Sequence, residues 1–401
     1  MTGSESALAG ATALAAGLQE ALPPPLRPLF DGRFLRSWDL YDEFVFRLAL
    51  RIFLAADLEA ATREPGNAAE IAARARFEPG RALVPLRWIL RQLATRGILH
   101  EVRASGGTGW ARSPEALGTL DPASVREEQA VLDPSWLPAY TLAETAARDY
   151  VPFLRGEMTG EEVLFSPARL RLWIDYFSNA NGLYAVNNQI GAIAVEEWVR
   201  PAGGAILELG GGLGSAACAL LERLEATARL ETLREYRFTE LIPAFLRRGQ
   251  RELQTRFPDL GCLSFAPLDM NRPFEGQGVA ADSVSVVYAV NTLHVADDLL
   301  FALGEIFRAL EPGGQLIVSE CVRMLPGQSL SAEFIFNLMA TFRSRASTSP
   351  GQPPAGFLLP GQWKAAMESA GFVDVRFLPD VSTFAERFPL FHVAAIGGTR
   401  P

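Results

Sequence analysis

Six polar residues in the second half of the chain fall where apolar runs end: Glu208, Glu240, Asp269, Asn291, His294 and Glu320. The first precedes a glycine turn, Gly210-Gly211-Gly212-Leu213-Gly214, which passes straight into a helical pattern from Ser215. An apolar run that ends in glycines and continues as a helix opens a βαβ unit. The glycines give positive φ and let a ligand come close to the backbone. The helix behind them turns N–H groups and the positive end of its dipole toward the gap. A carboxylate accepts two hydroxyl hydrogens, so Glu240 suits a ribose diol. Asp269 can accept from an adenine exocyclic amine, with Met270 packing on the base. Each acid alone would serve equally well as a helix N-cap. Their succession on strand ends after a glycine turn points to a nucleoside.

The glycine spacing narrows the choice. A dinucleotide site reads G-x-G-x-x-G. Here Gly210, Gly212 and Gly214 alternate, and Ser215 stands where the third small residue of that fingerprint falls. A NAD-linked oxidoreductase is therefore disfavoured.

The elements that must position these residues alternate. Strands are expected over 205–209, 236–239, 263–268, 283–289 and 314–319, the last entered through Glu311-Pro312-Gly313. Helices lie between them, notably over 215–230 and 298–310. Two further strands are expected over 372–378 and 390–396. This order specifies an α/β fold, a doubly wound, Rossmann-like, mostly parallel seven-stranded sheet, with its ligand beyond the carboxyl ends of the strands.

Upstream the pattern is helical. A helix over 4–22 is stopped by Pro23-Pro24-Pro25, and a long one is expected over 38–61. Two more are expected over 67–76 and 81–96, with Asn67 as N-cap and Glu70 completing a capping box. Strands over 98–104 and 110–112 flank a loop, Gly106-Gly107-Thr108-Gly109. Helix, helix, helix and hairpin make a winged-helix pattern. Arg81, Arg87, Arg91 and Arg96 on its third helix suit DNA, but acids and bases are balanced over 1–130. Residues 131–200 form a helical connector, either plain packing or a lid over the cofactor. Three regions follow: 1–130, 131–200 and 201–401. Within the last, residues 331–343 read as a helix with an aromatic face, followed by a Ser/Pro/Gly-rich loop over 344–356 and a helix over 360–370.

With 401 residues, 49% of them hydrophobic, the chain has enough apolar side chains for a sizeable core or two. A net charge of −9 argues against a protein that coats nucleic acid. Cys218, Cys262 and Cys321 make no CxxC pair, which speaks for a reducing cytoplasm and against a zinc site. No His/Asp/Glu cluster has ligand spacing, so no metal is expected. Residues 1–22 carry Glu5 and Glu20 without a basic stretch, so neither a secretory leader nor a membrane span is expected there.

Glu208 with the alternating glycines resembles motif I of class I S-adenosylmethionine (SAM)-dependent methyltransferases. The resemblance extends further. Phe238-Thr239-Glu240 with Pro243-Ala244-Phe245-Leu246, then Leu268-Asp269, Ala289-Val290-Asn291-Thr292-Leu293-His294 and Leu310-Glu311-Pro312-Gly313-Gly314 look like the methyltransferase domains of polyketide synthases. It covers about residues 152–325 and includes Leu154-Arg155-Gly156-Glu157. The N-terminal pattern instead resembles free-standing O-methyltransferases, whose winged helix is a dimerisation module. Glu240 departs from both, where Asp is commoner. The chain reads as free-standing, so a carrier-tethered acceptor is not assumed.

The resemblance implies SAM as cofactor, held by Glu208, Gly210, Gly212, Gly214, Glu240, Asp269, Met270 and Asn291. It implies His294 as general base, partnered by Glu320. It places the helix after strand five along the acceptor pocket and makes the last strand the antiparallel insertion of the sheet. The expected reaction is methylation of a hydroxyl or an acidic carbon of a small secondary metabolite, polyketide-like or aromatic, by a cytoplasmic homodimer without nucleic acid or membrane partners. The competing expectation is a winged-helix regulator whose methyltransferase fold senses a ligand without catalysis.

Overall fold

The structure, a computed structural model, describes residues 17–104, 107–113, 120–199, 204–344, 356–384, 387–388 and 391–401. The chain divides into two compact units. One comprises Met1–Gly32, Phe177–Gln328 and Thr348–Pro401, the other Arg33–Tyr176 and Ser329–Ser347.

The second unit is helical and carries one hairpin. Asn67 caps the helix Ala68–Arg74 as its sequence requires: its Oδ1 accepts from Ala69 N and Glu70 N, while Glu70 Oε2 accepts from Asn67 N at 2.8 Å. Strands β1 (Leu99–Ala104) and β2 (Gly107–Arg112) pair antiparallel, Ala104 opposite Gly107. Gly107, Thr108 and Gly109, expected in the loop, thus belong to the strand, and Gly106 lies outside the described residues. The expected helix over 38–61 is two helices, Gly32–Ala55 and Leu58–Ala61, broken where Asp57 takes a left-handed φ of 54°.

The expected helix over 331–343 is likewise two short ones, Glu333–Phe336 and Ala340–Ser344. Between them Leu338 N and Met339 N bond three residues back, to Ile335 O and Phe336 O, a tightened turn that ends the helix. This segment is built into its own unit: Trp88 Nε1 donates to Leu330 O at 3.0 Å, and Tyr150 stacks on Phe334 at 4.9 Å. Residues 345–355 of the loop expected after it lie outside the described residues.

In the first unit seven strands make one sheet: β3 (Ala205–Leu209), β4 (Glu235–Thr239), β5 (Leu263–Ala266), β6 (Val284–Val290), β7 (Leu310–Cys321), β8 (Val373–Leu378) and β9 (Val393–Thr399). Their order is β5-β4-β3-β6-β7-β9-β8, parallel from β5 to β7. Strand β9 runs antiparallel to both its neighbours, as the resemblance implied for the last strand. Every residue of β3 is buried, as befits a central parallel strand covered on both faces.

Glu311-Pro312-Gly313 does not precede β7. It bows out inside it, because Leu310 pairs with Val284 and Gln315 with Val286, and Gly313 takes a φ of 81° at the bend. The helix Gly182–Trp198 lies on one face of the sheet. Gly191 lets it sit close: a Cβ there would stand 2.7 Å from Tyr288 Oη and 3.1 Å from Ser319 Cβ. Strand β3 lies between β4 and β6, so the connections part there and open a crevice at the strands' carboxyl ends. Among the described residues, no helix is long and apolar enough to cross a membrane.

Candidate active site

The glycine turn forms the floor of that crevice. Gly210, Gly212 and Gly214 hold φ of 61°, 58° and 88°, values that L side chains rarely adopt. Gly211 N donates to Thr239 O at 2.9 Å and Gly212 N to Glu240 Oε2 at 3.0 Å, which tie the turn to the end of β4. A Cβ on Gly210 would lie 2.5 Å from Thr292 Cγ2, whereas one on Gly212 would meet nothing nearer than Gly210 O at 4.0 Å. Gly212 therefore faces open space.

That space is a cavity with about 630 Å³ of empty volume, part of it open to solvent. Gly210, Gly211, Gly212 and Leu213 of the turn, with Glu240, Asn291, Thr292, Phe177 and Tyr184, are among the residues lining it. Its size falls within the usual range of small-molecule sites, about 300–1,000 Å³. Glu240 is buried at its edge, and its Oε1 accepts from Ile242 N at 2.8 Å. Burial raises its carboxyl, against the pull of the Ile242, Gly212 and Leu241 N–H groups. Even with these N–H groups, the carboxylate keeps a lone pair for hydroxyl hydrogens.

Glu320 lies at the end of β7, fully buried, and His294 in the short turn Leu293–Val295 after β6. Glu320 Oε2 is 2.7 Å from His294 Nδ1, while its Oε1 accepts from Thr292 N at 2.9 Å and from His294 N at 3.3 Å. The carboxylate is thus clamped by backbone and set against one imidazole nitrogen. Phe357 packs on the ring, centroid to centroid 4.8 Å. Asn291, beside this pair, takes a left-handed φ of 49°, and its Oδ1 accepts from Asn187 Nδ2 at 2.6 Å.

Not all the expected residues meet the cavity. Glu208 is buried beneath the turn, where its Oε2 accepts from Tyr236 Oη at 3.0 Å. Burial pushes its carboxyl up to about 8, with the Tyr236 hydroxyl pulling the other way. Asp269 organises its own loop: its Oδ1 accepts from Asn271 N at 3.0 Å, and its Oδ2 pairs with Arg272 at 3.3 Å. Asp269, Met270, Gly214, His294 and Glu320 are not among the cavity's lining residues; the His294–Glu320 pair sits behind Asn291 and Thr292, which are. Reading the sequence missed Phe177 and Thr292. Thr292 Oγ1 donates to Val290 O at 3.1 Å and to Gly210 O at 3.3 Å, joining β6 to the turn. A lone threonine or phenylalanine carries no signal by type. Only the register of the strands brings Thr292 to the glycines.

Residues 207–316 match the family described as a methyltransferase domain. With the sheet order and the turn, this defines a class I methyltransferase domain, the class whose methyl donor is SAM. Among curated proteins the chain is similar to the reducing polyketide synthase Preu2 of Preussia isomera, 27% identical over 231 residues. That match takes in 58% of this chain and 9% of the synthase, so the chain spans under a tenth of this relative's length. Among solved structures it is similar to the CurJ carbon methyltransferase, with a TM-score of 0.72, 22% identity and coverage of 97% of this chain and 99% of that one. It is also similar to the trans-methyltransferase CalH in complex with SAH, with a TM-score of 0.57, 18% identity and coverage of 92% and 90%. The open space above Gly212 and the carboxylate of Glu240 fit the nucleoside of SAM.

Proposed function

We propose that this chain methylates an acidic carbon of a polyketide-like acceptor, with His294 as general base. The observation that carries the reading is the buried His294–Glu320 contact of 2.7 Å, at the carboxyl ends of β6 and β7, next in sequence to Asn291 and Thr292, which line the glycine-floored cavity. The polyketide synthase relative and the likeness to a carbon methyltransferase over nearly its full length support carbon as the acceptor atom.

Bound SAM supplies a methyl group on a sulfonium, already a strong electrophile. The protein has to hold the acceptor and take its proton. Orientation contributes up to about 7–11 kcal/mol in favourable cases, and a positioned base about 10²–10⁴-fold. Glu320 holds the His294 proton on Nδ1, which makes Nε2 the atom that accepts from the acceptor carbon. The same carboxylate stabilises the imidazolium that results. A carbon flanked by two carbonyls is acidic enough for such a base. Gly210, Gly212, Gly214, Glu240 and Asn291 hold the donor in this reading. Glu208 supports the turn from below, and Asp269 and Met270, outside the cavity's lining, are assigned to the nucleobase by the sequence and its resemblance alone.

Incubation with methyl-labelled SAM and either a β-ketoacyl thioester or a phenol tests the proposal. Label on the carbon between the carbonyls supports it. Label on oxygen alone, or none with either acceptor, refutes it. The order of helices Ala68–Arg74 and Pro79–Thr95 followed by the β1–β2 hairpin supports a winged-helix reading of the second unit. Light scattering tests whether it dimerises.

A further inference from the structure

One wall of the cavity comes from the segment before the helix Gly182–Trp198 and from that helix's first turn. Phe177 and Tyr184 both line the cavity, and their rings meet edge to face at 5.1 Å. Polar bonds link this wall to the floor. Asn188, fully buried in the helix, donates from Nδ2 to Asn179 Oδ1 at 2.7 Å. Asn179 in turn donates from Nδ2 to Ser215 O at 2.7 Å. Ser215 is the first residue of the helix after the turn, and its Oγ donates to Phe177 O at 2.5 Å. Asn188, Asn179 and Ser215 thus form a three-residue chain from the sheet-packed helix, through the wall, to the floor.

A buried amide and a half-buried one in series are a costly way to hold a loop that apolar packing could hold alone. Each must satisfy its polar atoms or lose free energy on burial. Asn188 does so incompletely, since its Oδ1 has no hydrogen-bond partner. What the pair provides beyond packing is direction: it fixes the wall residues Phe177 and Tyr184 at a set distance from Ser215.

We propose that Asn179 and Asn188 are positioning residues that latch this wall over the glycine turn and so set the residence time of the nucleoside cosubstrate and its product. The inference rests on the reading that the cavity takes SAM. Neither residue has a role in the chemistry. Their loss speeds release while leaving proton removal by His294 intact.

The test measures dissociation of S-adenosylhomocysteine from the full chain by stopped flow, with KM for SAM and kcat measured alongside. Asn179→Ala and Asn188→Ala are each expected to raise the dissociation rate about tenfold, with KM raised and kcat kept. Asn179→Asp keeps the acceptor for Asn188 but cannot donate to Ser215 O, so it should match Asn179→Ala. The double alanine variant should be no worse than either single one, because both act in one chain. Because Asn188→Ala opens a buried hole, thermal unfolding of each variant is recorded, and Asn179, only half-buried, carries the result if Asn188→Ala unfolds. Unchanged dissociation in folded variants, or additive effects in the double variant, overturns the latch. If the parent itself fails to bind S-adenosylhomocysteine, it is the cavity reading that falls.

Discussion

Glu320→Gln separates the chemical from the structural duties of one side chain. Glu320 Oε1 accepts from two backbone N–H groups, at 2.9 and 3.3 Å, and Oε2 faces His294 Nδ1 at 2.7 Å. Glutamine can keep its oxygen on the two N–H groups, but then its NH₂ faces Nδ1. An amide donates there, so Nδ1 must accept and the ring proton moves to Nε2. That tautomer cannot take a proton through Nε2. The expected loss is the whole base contribution, about 10²–10⁴-fold or roughly 3–5 kcal/mol in the barrier. Glu320→Ala would in addition strand two buried N–H groups, at about 1–3 kcal/mol each. Rapid-quench single turnover with labelled SAM reads the chemical step, while calorimetry with S-adenosylhomocysteine and thermal unfolding read binding and stability. The glutamine variant should bind and fold like the parent yet turn over slowly. A single-turnover rate equal to the parent's would refute the reasoning.

Glu208 gives a pH-dependent expectation. Its folded carboxyl is raised by burial from the ordinary 4.5 to about 8. Between those values the folded state keeps a proton that the unfolded state has lost, so stability falls as pH rises through that window and levels off above it. Glu208→Gln keeps an acceptor for Tyr236 and removes the effect. Urea titrations should show the variant gaining on the parent from pH 5 to pH 7.5 by up to about 3–4 kcal/mol. A constant difference would contradict this. The two glycines predict opposite balances. Alanine at either strains a positive φ by about 1–2 kcal/mol, but at Gly210 it also collides with Thr292, at 2.5 Å, whereas at Gly212 it projects into the cavity. Gly210→Ala should lower the melting temperature more, and Gly212→Ala should lose more affinity for S-adenosylhomocysteine for the stability it costs, as calorimetry beside thermal unfolding would show.

The parallel sheet was legible because its strands are short apolar runs closed by glycines and acids. Strand β3 is the five residues the pattern marked, and the Asn67 capping box follows from two residues three apart. What the pattern could not show is register. Pro312-Gly313 looks like a turn before a strand until the pairing of Leu310 with Val284 puts it inside β7. The aromatic face over 331–343 has helical spacing, yet the turn closed by Leu338 and Met339 divides it. Glu208 belongs by type with the acids at the strand ends, but the alternation of side chains along β3 turns it toward Tyr236 beneath the turn. Asn179 and Asn188 carry no motif at all, since their pairing depends on a bend that local spacing does not encode.

The most direct measurement is proton exchange at the acceptor carbon without methyl transfer. In D₂O, with S-adenosylhomocysteine in place of the donor, the parent should exchange the proton between the carbonyls of a β-ketoacyl thioester faster than buffer does, followed by NMR. His294→Ala should lose that exchange while still binding S-adenosylhomocysteine. Exchange that persists in His294→Ala, or a parent that binds both molecules and exchanges nothing, would contradict the assignment of His294 as the base.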